Sequence, residues 1–412
     1  MANTWPSIVS MAKKSNNLPG RWRRAALVFS AAIAACWTAP LAACPFCTTL
    51  EPTLCQLREQ AAVAALVEVE EQSPQLRTRL RLHITLVGAA RLRGMTSLSA
   101  YLDVSARPGS LLVIFGSPAG KQDPPVAQAP EPALADLRWH AVAVNEQEYG
   151  YLAKAPSLKT PAVDRLRYFA RFLEHPGPLI AQDAYLEFGH ATFRDVARAA
   201  DALPLSRMKD WLGEERIPAA RKGFYGMALG LATAAQDRRE NAAFLEKMIL
   251  APEDDFRAGF DGILGGYLLL RGTAGLELIE SRYLANPDAA DGDVRHAIVA
   301  LRFYQEFGRD IPVERLSAAL GGVLARAEFA ATAITDLARW NDWDSLSRIS
   351  RLYGDPAYSD PAIRRAIVGY LLACPKPAAS AALARLRKSD PTGVAAAEQI
   401  LSRTSGIGTG SE

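Results

Sequence analysis

Cys44 and Cys47 form Cys-Pro-Phe-Cys, Cys55 follows shortly after, Cys374 stands alone in Leu-Leu-Ala-Cys-Pro, and Cys36 lies upstream. A Cys-x-x-Cys pair can cycle between dithiol and disulfide when a helix N-terminus lowers one thiol pKa. Such a pair usually follows a strand, and no strand pattern precedes Cys44. The other chemistry open to Cys44, Cys47 and Cys55 is a structural staple. A loop closed by Cys47 and Cys55 would be worth about 3 kcal/mol in the chain-entropy picture. No His follows Cys47, so attachment of a c-type haem is not expected.

Other reactive constellations are missing from the sequence. There is no Gly-x-Ser-x-Gly elbow, no His-Glu-x-x-His and no phosphate loop. His83, His140, His175, His190 and His296 show no metal-ligand spacing. No catalytic residue, metal or cofactor is therefore expected, and the balance leans away from an enzyme.

The segment before these cysteines reads as an export signal. Lys13, Lys14, Arg21, Arg23 and Arg24 precede an apolar run from Ala25 to Ala35, and small residues lead to Ala43. The expectation is a signal peptide over 1–43 and a mature chain located in the periplasm or cell envelope. Its removal takes five positive charges and turns the formal net charge from +3 to −2. Nucleic acid is then not expected as a partner, because no basic field remains to attract it. An oxidising compartment favours disulfides among the clustered cysteines.

Leu41-Ala42-Ala43-Cys44 resembles the lipobox of bacterial lipoproteins. That resemblance implies a lipid on the Cys44 sulfur and membrane attachment through it. Lipidation would leave Cys47 and Cys55 to pair and Cys374 as an inert thiol. Cleavage after Ala43 without lipidation would keep the Cys44/Cys47 redox pair available.

Two kinds of periodicity place these residues. From Ala61 to Val144 five short runs alternate or stay apolar: Ala61–Glu70, Leu76–Val87, Leu98–Val104, Leu111–Phe115 and Trp139–Val144. In the second, Leu76, Leu80, Leu82, Ile84 and Leu86 share the buried parity, with Arg77, Arg79, Arg81 and His83 on the wet face. Five strands in so short a span predict a small OB-type barrel within residues 44–155. The arrangement resembles the netrin-like domain of metalloprotease inhibitors, which implies an inhibitor role, although that family opens with Cys-x-Cys.

From Thr160 the spacing turns helical, with Thr160-Pro161, Asp360-Pro361 and Asp390-Pro391 as opening signals. An octad recurs: Ala220–Met227, Phe256–Ile263, Val294–Leu301 and Ile363–Tyr370, with Arg221, Arg257, Arg295 and Arg364 in register. Weaker copies lie at Ile180–Tyr185 and Phe329–Ile334. A period of 34 to 40 residues predicts an α-solenoid over 160–402, followed by a disordered tail at 403–412. One such helix buries about 6–10 kcal/mol of apolar surface. Its ordering cost is about 1–2 kcal/mol per residue, so units must stack.

Asp360 to Ala366 resembles the opening helix of a HEAT repeat. The expected fold is thus α+β in two domains, an OB/netrin-like barrel module and a solenoid of HEAT-like helix pairs. The period-locked arginines read mainly as ties between repeats. The sharper reading makes Arg221, Arg257, Arg295 and Arg364 a basic ladder for a partner, with Trp340 and Trp343 as aromatic anchors.

The layout also resembles a group of exported bacterial proteins that join a mature Cys-Pro-Phe-Cys, a β module and a HEAT-like tail. Cys44–Cys47 and Asp183-Ala184-Tyr185-Leu186-Glu187-Phe188 carry that resemblance. It implies architecture and no activity. Three functions stay open: a scaffold binding another envelope protein, a thiol-disulfide protein using Cys44 and Cys47, and a netrin-like protease inhibitor.

Overall fold

The computed structural model describes residues 51–119, 134–251 and 257–406, with side chains to 403. The signal segment, Cys44, Cys47 and the tail past 406 lie outside the described residues.

A short helix α1 (Leu54–Gln60) opens with a capping box, in which Thr53 and Gln56 satisfy each other's backbone N–H groups. Five antiparallel strands follow, β1 (Val63–Gln72), β2 (Arg77–Val87), β3 (Ser97–Tyr101), β4 (Leu111–Pro118) and β5 (Leu137–Ala143), in the order β3-β2-β1-β4-β5. The sheet curls into a half-barrel. Val63, Ala65, Val67 and Val69 of β1 point inward with Leu112 and Ile114 of β4 and Leu98 of β3. Ala64, Leu66, Val113 and Phe115 point the other way and join the core of the helices. This two-sided burial explains why β1 reads as an unbroken apolar run.

Edges β3 and β5 are not joined by a strand ladder. Asp103 spans them instead, accepting from Ala141 N and bonding His140. Arg79 and Arg81 do occupy the wet face of β2, paired with Glu70. His83 is also on that face, against Glu68. Ile84 departs from the expected parity and is 46% exposed. A bulge between Leu66 and Val67, where β1 partners jump from Ile84 to Leu82, rotates it outward.

The remainder is helical. In chain order come α2 (Glu146–Lys154), α3 (Ala162–Phe169), α4 (Pro178–Gly189), α5 (Phe193–Arg198), α6 (Leu205–Gly213), α7 (Ala219–Leu229), α8 (Ala235–Leu250) and α9 (Phe260–Ile279). They continue as α10 (Asp291–Phe307), α11 (Val313–Gly321), α12 (Ala327–Arg339), α13 (Leu346–Leu352), α14 (Pro361–Ala373), α15 (Pro377–Ser389) and α16 (Pro391–Gly406).

Asp360 caps α14 by accepting from Ala362 N, and Asp390 accepts from Gly393 N at the start of α16. Thr160 does not cap α3. Pro161 occupies that position without a side-chain bond, and Thr160 N is used in a turn to Ser157 O.

Three of the recurring octads fall on α7, α10 and α14, and the two weaker copies on α4 and α12; the remaining one straddles the start of α9, with Arg257 ahead of the helix and Phe256 outside the described residues. Among them α9 packs on both α7 and α10, α12 packs on α14, and α10 touches α12 more lightly, while Phe224 of α7 meets Tyr185 and Phe188 of α4. Ties one period long fasten them. Tyr283 Oη donates to Ile249 O, Arg302 Nε to Asp336, Tyr358 Oη to Leu324 O and Tyr353 Oη to Asp390, at separations of 34, 34, 34 and 37 residues.

The tightest approach is α7 against α9. A Cβ on Gly262 would lie 1.8 Å from Gly223 O, and one on Gly266 2.0 Å from Gly226 O. Among the described residues, the helical stretch Phe260–Leu284 is long and apolar enough to cross a membrane. Its glycine face is buried on α7, and Gly272 breaks it with φ +54°. One contact departs from neighbour-to-neighbour stacking: Phe193 of α5 packs on Phe303 and Phe307 of α10, with ring centroids 5.3 and 4.6 Å away.

Candidate functional site

Cys55 is a free, fully buried thiol in the first turn of α1. Burial foremost, and the nearby Glu187 carboxylate, push it up to about 12. Such a thiol is a poor nucleophile at neutral pH. Cys374 is a second free, buried thiol, at the C-terminal end of α14.

Around Cys55 the Asp-Ala-Tyr-Leu-Glu-Phe motif of α4 has a structural use. Asp183 Oδ1 accepts from Leu54 N at 2.7 Å, and Oδ2 accepts from Tyr151 Oη at 2.7 Å. Glu187, one turn on, pairs with Arg165. Arg58 of α1 donates to the carbonyls of Leu152, Ala155 and Pro156. His190 bonds Glu51 O. The segment entering the sheet is thus fastened to the first helix of the row by buried polar bonds.

Asp183 is 3% exposed. Burial raises its pKa to about 6, against the lowering effect of the Leu54 and Tyr151 bonds. The folded chain therefore holds a proton over the window from about 3.8 to 6 where the unfolded chain has lost it. Its contribution to stability is full below pH 3.8 and is lost as pH rises through 6.

Asp183→Asn keeps an acceptor for Leu54 N and lacks that charge. Relative to the parent it should gain on the order of 2–3 kcal/mol between pH 4 and pH 7. Asp183→Ala orphans two buried donors and should lose about 1–3 kcal/mol for each of them. Urea unfolding of the three chains across that pH range is the measurement. A pH-independent difference between parent and Asp183→Asn would refute the assignment.

The period-locked arginines do not form an outward ladder. Arg221 is buried and donates Nη1 to Glu174 at 3.0 Å and Nη2 to Gln182 at 2.7 Å. Arg257 stacks 4.0 Å over Phe260 and reaches Ile249 O and Tyr283 Oη. Arg295 lies over Phe329. Arg364 lies over Tyr353 and pairs with Asp390 at 3.7 Å. Each guanidinium lies over an aromatic ring or meets polar groups of its own or a neighbouring unit, with Arg221 buried and Arg295 exposed. Trp343 packs edge-on against Tyr370 at 5.2 Å, and Trp340 is half-buried at the end of α12. Both serve packing at a helix junction.

Among the surfaces open for recognition is an arginine-lined groove of about 560 Å³ crossing α10, α12 and α14. Its floor is small, with Ala331, Ala338, Ala366 and Gly369. Arg302, Arg339 and Arg365 line it. Asp336 is 1% exposed and takes Arg302 Nε at 2.6 Å and Arg339 Nη1 at 3.6 Å. Arg365 has no ion-pair partner among the described residues.

Sequence reasoning had no hold on these three arginines. They belong to different repeats and stand together only after stacking. The available signal was the one-period spacing of Arg302 and Asp336. Among the described residues, no group of three His, Cys, Asp or Glu side chains could hold a metal ion. No protein-family model, curated protein or solved structure matches the chain.

Proposed function

We propose that this chain is a non-catalytic scaffold of the bacterial cell envelope that holds another protein in the groove across α10, α12 and α14. The observation that carries the reading is that groove, an open, small-floored channel beside buried and committed polar groups. The curled sheet is read as an OB/netrin-like module, and the row of helices as a solenoid of HEAT-like pairs. Stacked pairs of this kind offer extended surfaces to partners. Kinship with exported proteins that join Cys-Pro-Phe-Cys to such a tail belongs to the same proposal, as does export by residues 1–43 with a lipid on Cys44. Burial of the Cys55 thiol, pushed up to about 12, leaves Cys44 and Cys47 as the cysteines on which the redox alternative rests.

A photo-crosslinking amino acid at Thr335, in the groove, tests it against one at Ser347, an exposed position of α13. In intact cells the Thr335 chain should give a discrete adduct that Ser347 does not. Equal adducts from both positions, or none from either, would reject the scaffold reading. Mass spectrometry of the mature N-terminus should find diacylglyceryl-modified Cys44. An unmodified dithiol there would instead restore the redox alternative.

A further inference from the structure

We infer that the groove recognises an acidic, extended polypeptide segment with small side chains. This rests on the scaffold reading and names the partner's chemistry. Three guanidinium groups, Arg302, Arg339 and Arg365, line the groove and none of the other lining residues is acidic; Asp336 lies buried behind Arg302 and Arg339. The excess is positive. It stands out because the chain without residues 1–43 has a net charge of −2, so this is local placement rather than a global field.

Asp336 has a second consequence. Buried and bonded to Arg302 Nε, it orients that guanidinium as a fixed donor, which lowers the ordering cost of binding a carboxylate. Arg forks match carboxylates in bidentate geometry, whereas a neutral segment would gain only the weaker bonds to its carbonyls.

Shape narrows the ligand further. Ala331, Ala338, Ala366 and Gly369 leave the floor open to a main chain. Three stacked helices at about 10 Å spacing give a channel roughly 20 Å long. Extended chain rises about 3.3 Å per residue, so about six residues fill it. A nucleic acid strand could also meet arginines, but it would need stacking platforms. The floor is aliphatic, with Tyr370 as its aromatic residue, and that favours protein.

The test uses fluorescence anisotropy with the mature chain and a labelled Glu-Ala repeat peptide of about ten residues at low salt. The expected result is saturable binding that weakens with added salt. Arg339→Gln with Arg365→Gln should weaken it about ten-fold. A matched pair on exposed helix surface, Arg351→Gln with Arg385→Gln, should leave it within about two-fold. Should the first pair unfold the chain, Arg365→Glu alone serves, since that residue holds no ion pair among the described residues.

No saturable binding, equal binding of a Lys-Ala peptide or an oligothymidine of similar length, or indifference to the Arg365 variants would overturn the inference. A Thr335 crosslink that survives alongside a failed peptide test would reject the acidic ligand and leave the scaffold standing. Loss of both would reject both.

Discussion

Gly262→Ala should not yield a stably folded protein. A single methyl at that position would stand 1.8 Å from Gly223 O and 2.4 Å from Gly223 C, which are main-chain atoms with no rotamer to yield. Relief requires α7 and α9 to separate by more than an ångström. That movement would open the densest helix contact in the row and cost more than the about 1–3 kcal/mol of ordinary overpacking. Gly266→Ala meets Gly226 O at 2.0 Å and should behave alike.

The proper control is Gly369→Ala in α14. Its new methyl would reach only Leu401 side-chain atoms, at 3.5 and 3.6 Å. That variant should be as stable as the parent or gain up to about 1 kcal/mol from helix propensity. Soluble yield and thermal melting of the three proteins decide the matter. A Gly262→Ala chain that melts with the parent would show that the two helices do not meet backbone to backbone.

Removal of the Arg221 guanidinium, as in Arg221→Met, should cost about 3–5 kcal/mol. Glu174 is 8% exposed, sits at φ +53° and receives Arg221 Nη1 at 3.0 Å and Tyr225 Oη at 2.6 Å on one oxygen. Its other partner, Arg216, is 3.7 Å away and largely exposed, so it is screened by solvent. Without Arg221 the carboxylate is a buried charge held mainly by one hydroxyl.

Adding Glu174→Gln to Arg221→Met should recover a substantial part of the loss, because it removes the stranded charge. A double-mutant cycle by urea denaturation reads this out. Additive losses would mean that Arg221 contributes through packing over Tyr185 rather than through the ion pair.

The wet face of β2 was legible from Arg79, Leu80 and Arg81, because a half-buried strand writes its geometry into alternate residues. The glycines of two octads, Gly223, Gly226 and Gly262, sit where α7 and α9 meet backbone to backbone, and Gly266 just beyond extends the contact. What local pattern could not supply was partnership at a distance. Asp183 bonds Leu54, 129 residues away, so its motif was noticed without its purpose. The arginine octads were legible as a period but not as a direction. Whether Arg221 faces water or Glu174 depends on a residue held in a left-handed turn, which spacing does not encode. Ile84 escaped for a related reason, since the extra residue His83 in β2 shifts parity against β1 there, and alternation alone does not show which residue is left unpaired.

The contact of Phe193 with Phe303 and Phe307 has a mechanical corollary. A string of stacked units ordinarily behaves as a spring, every joint yielding a little under load. Here an aromatic strap joins α5 to α10, so stretch in that half is resisted by side chains far apart in the chain. Past Phe307 the described aromatic contacts join near neighbours, as Trp343 joins Tyr370. Compliance should therefore be greater toward α12 and α14 than between the strapped helices α5 and α10.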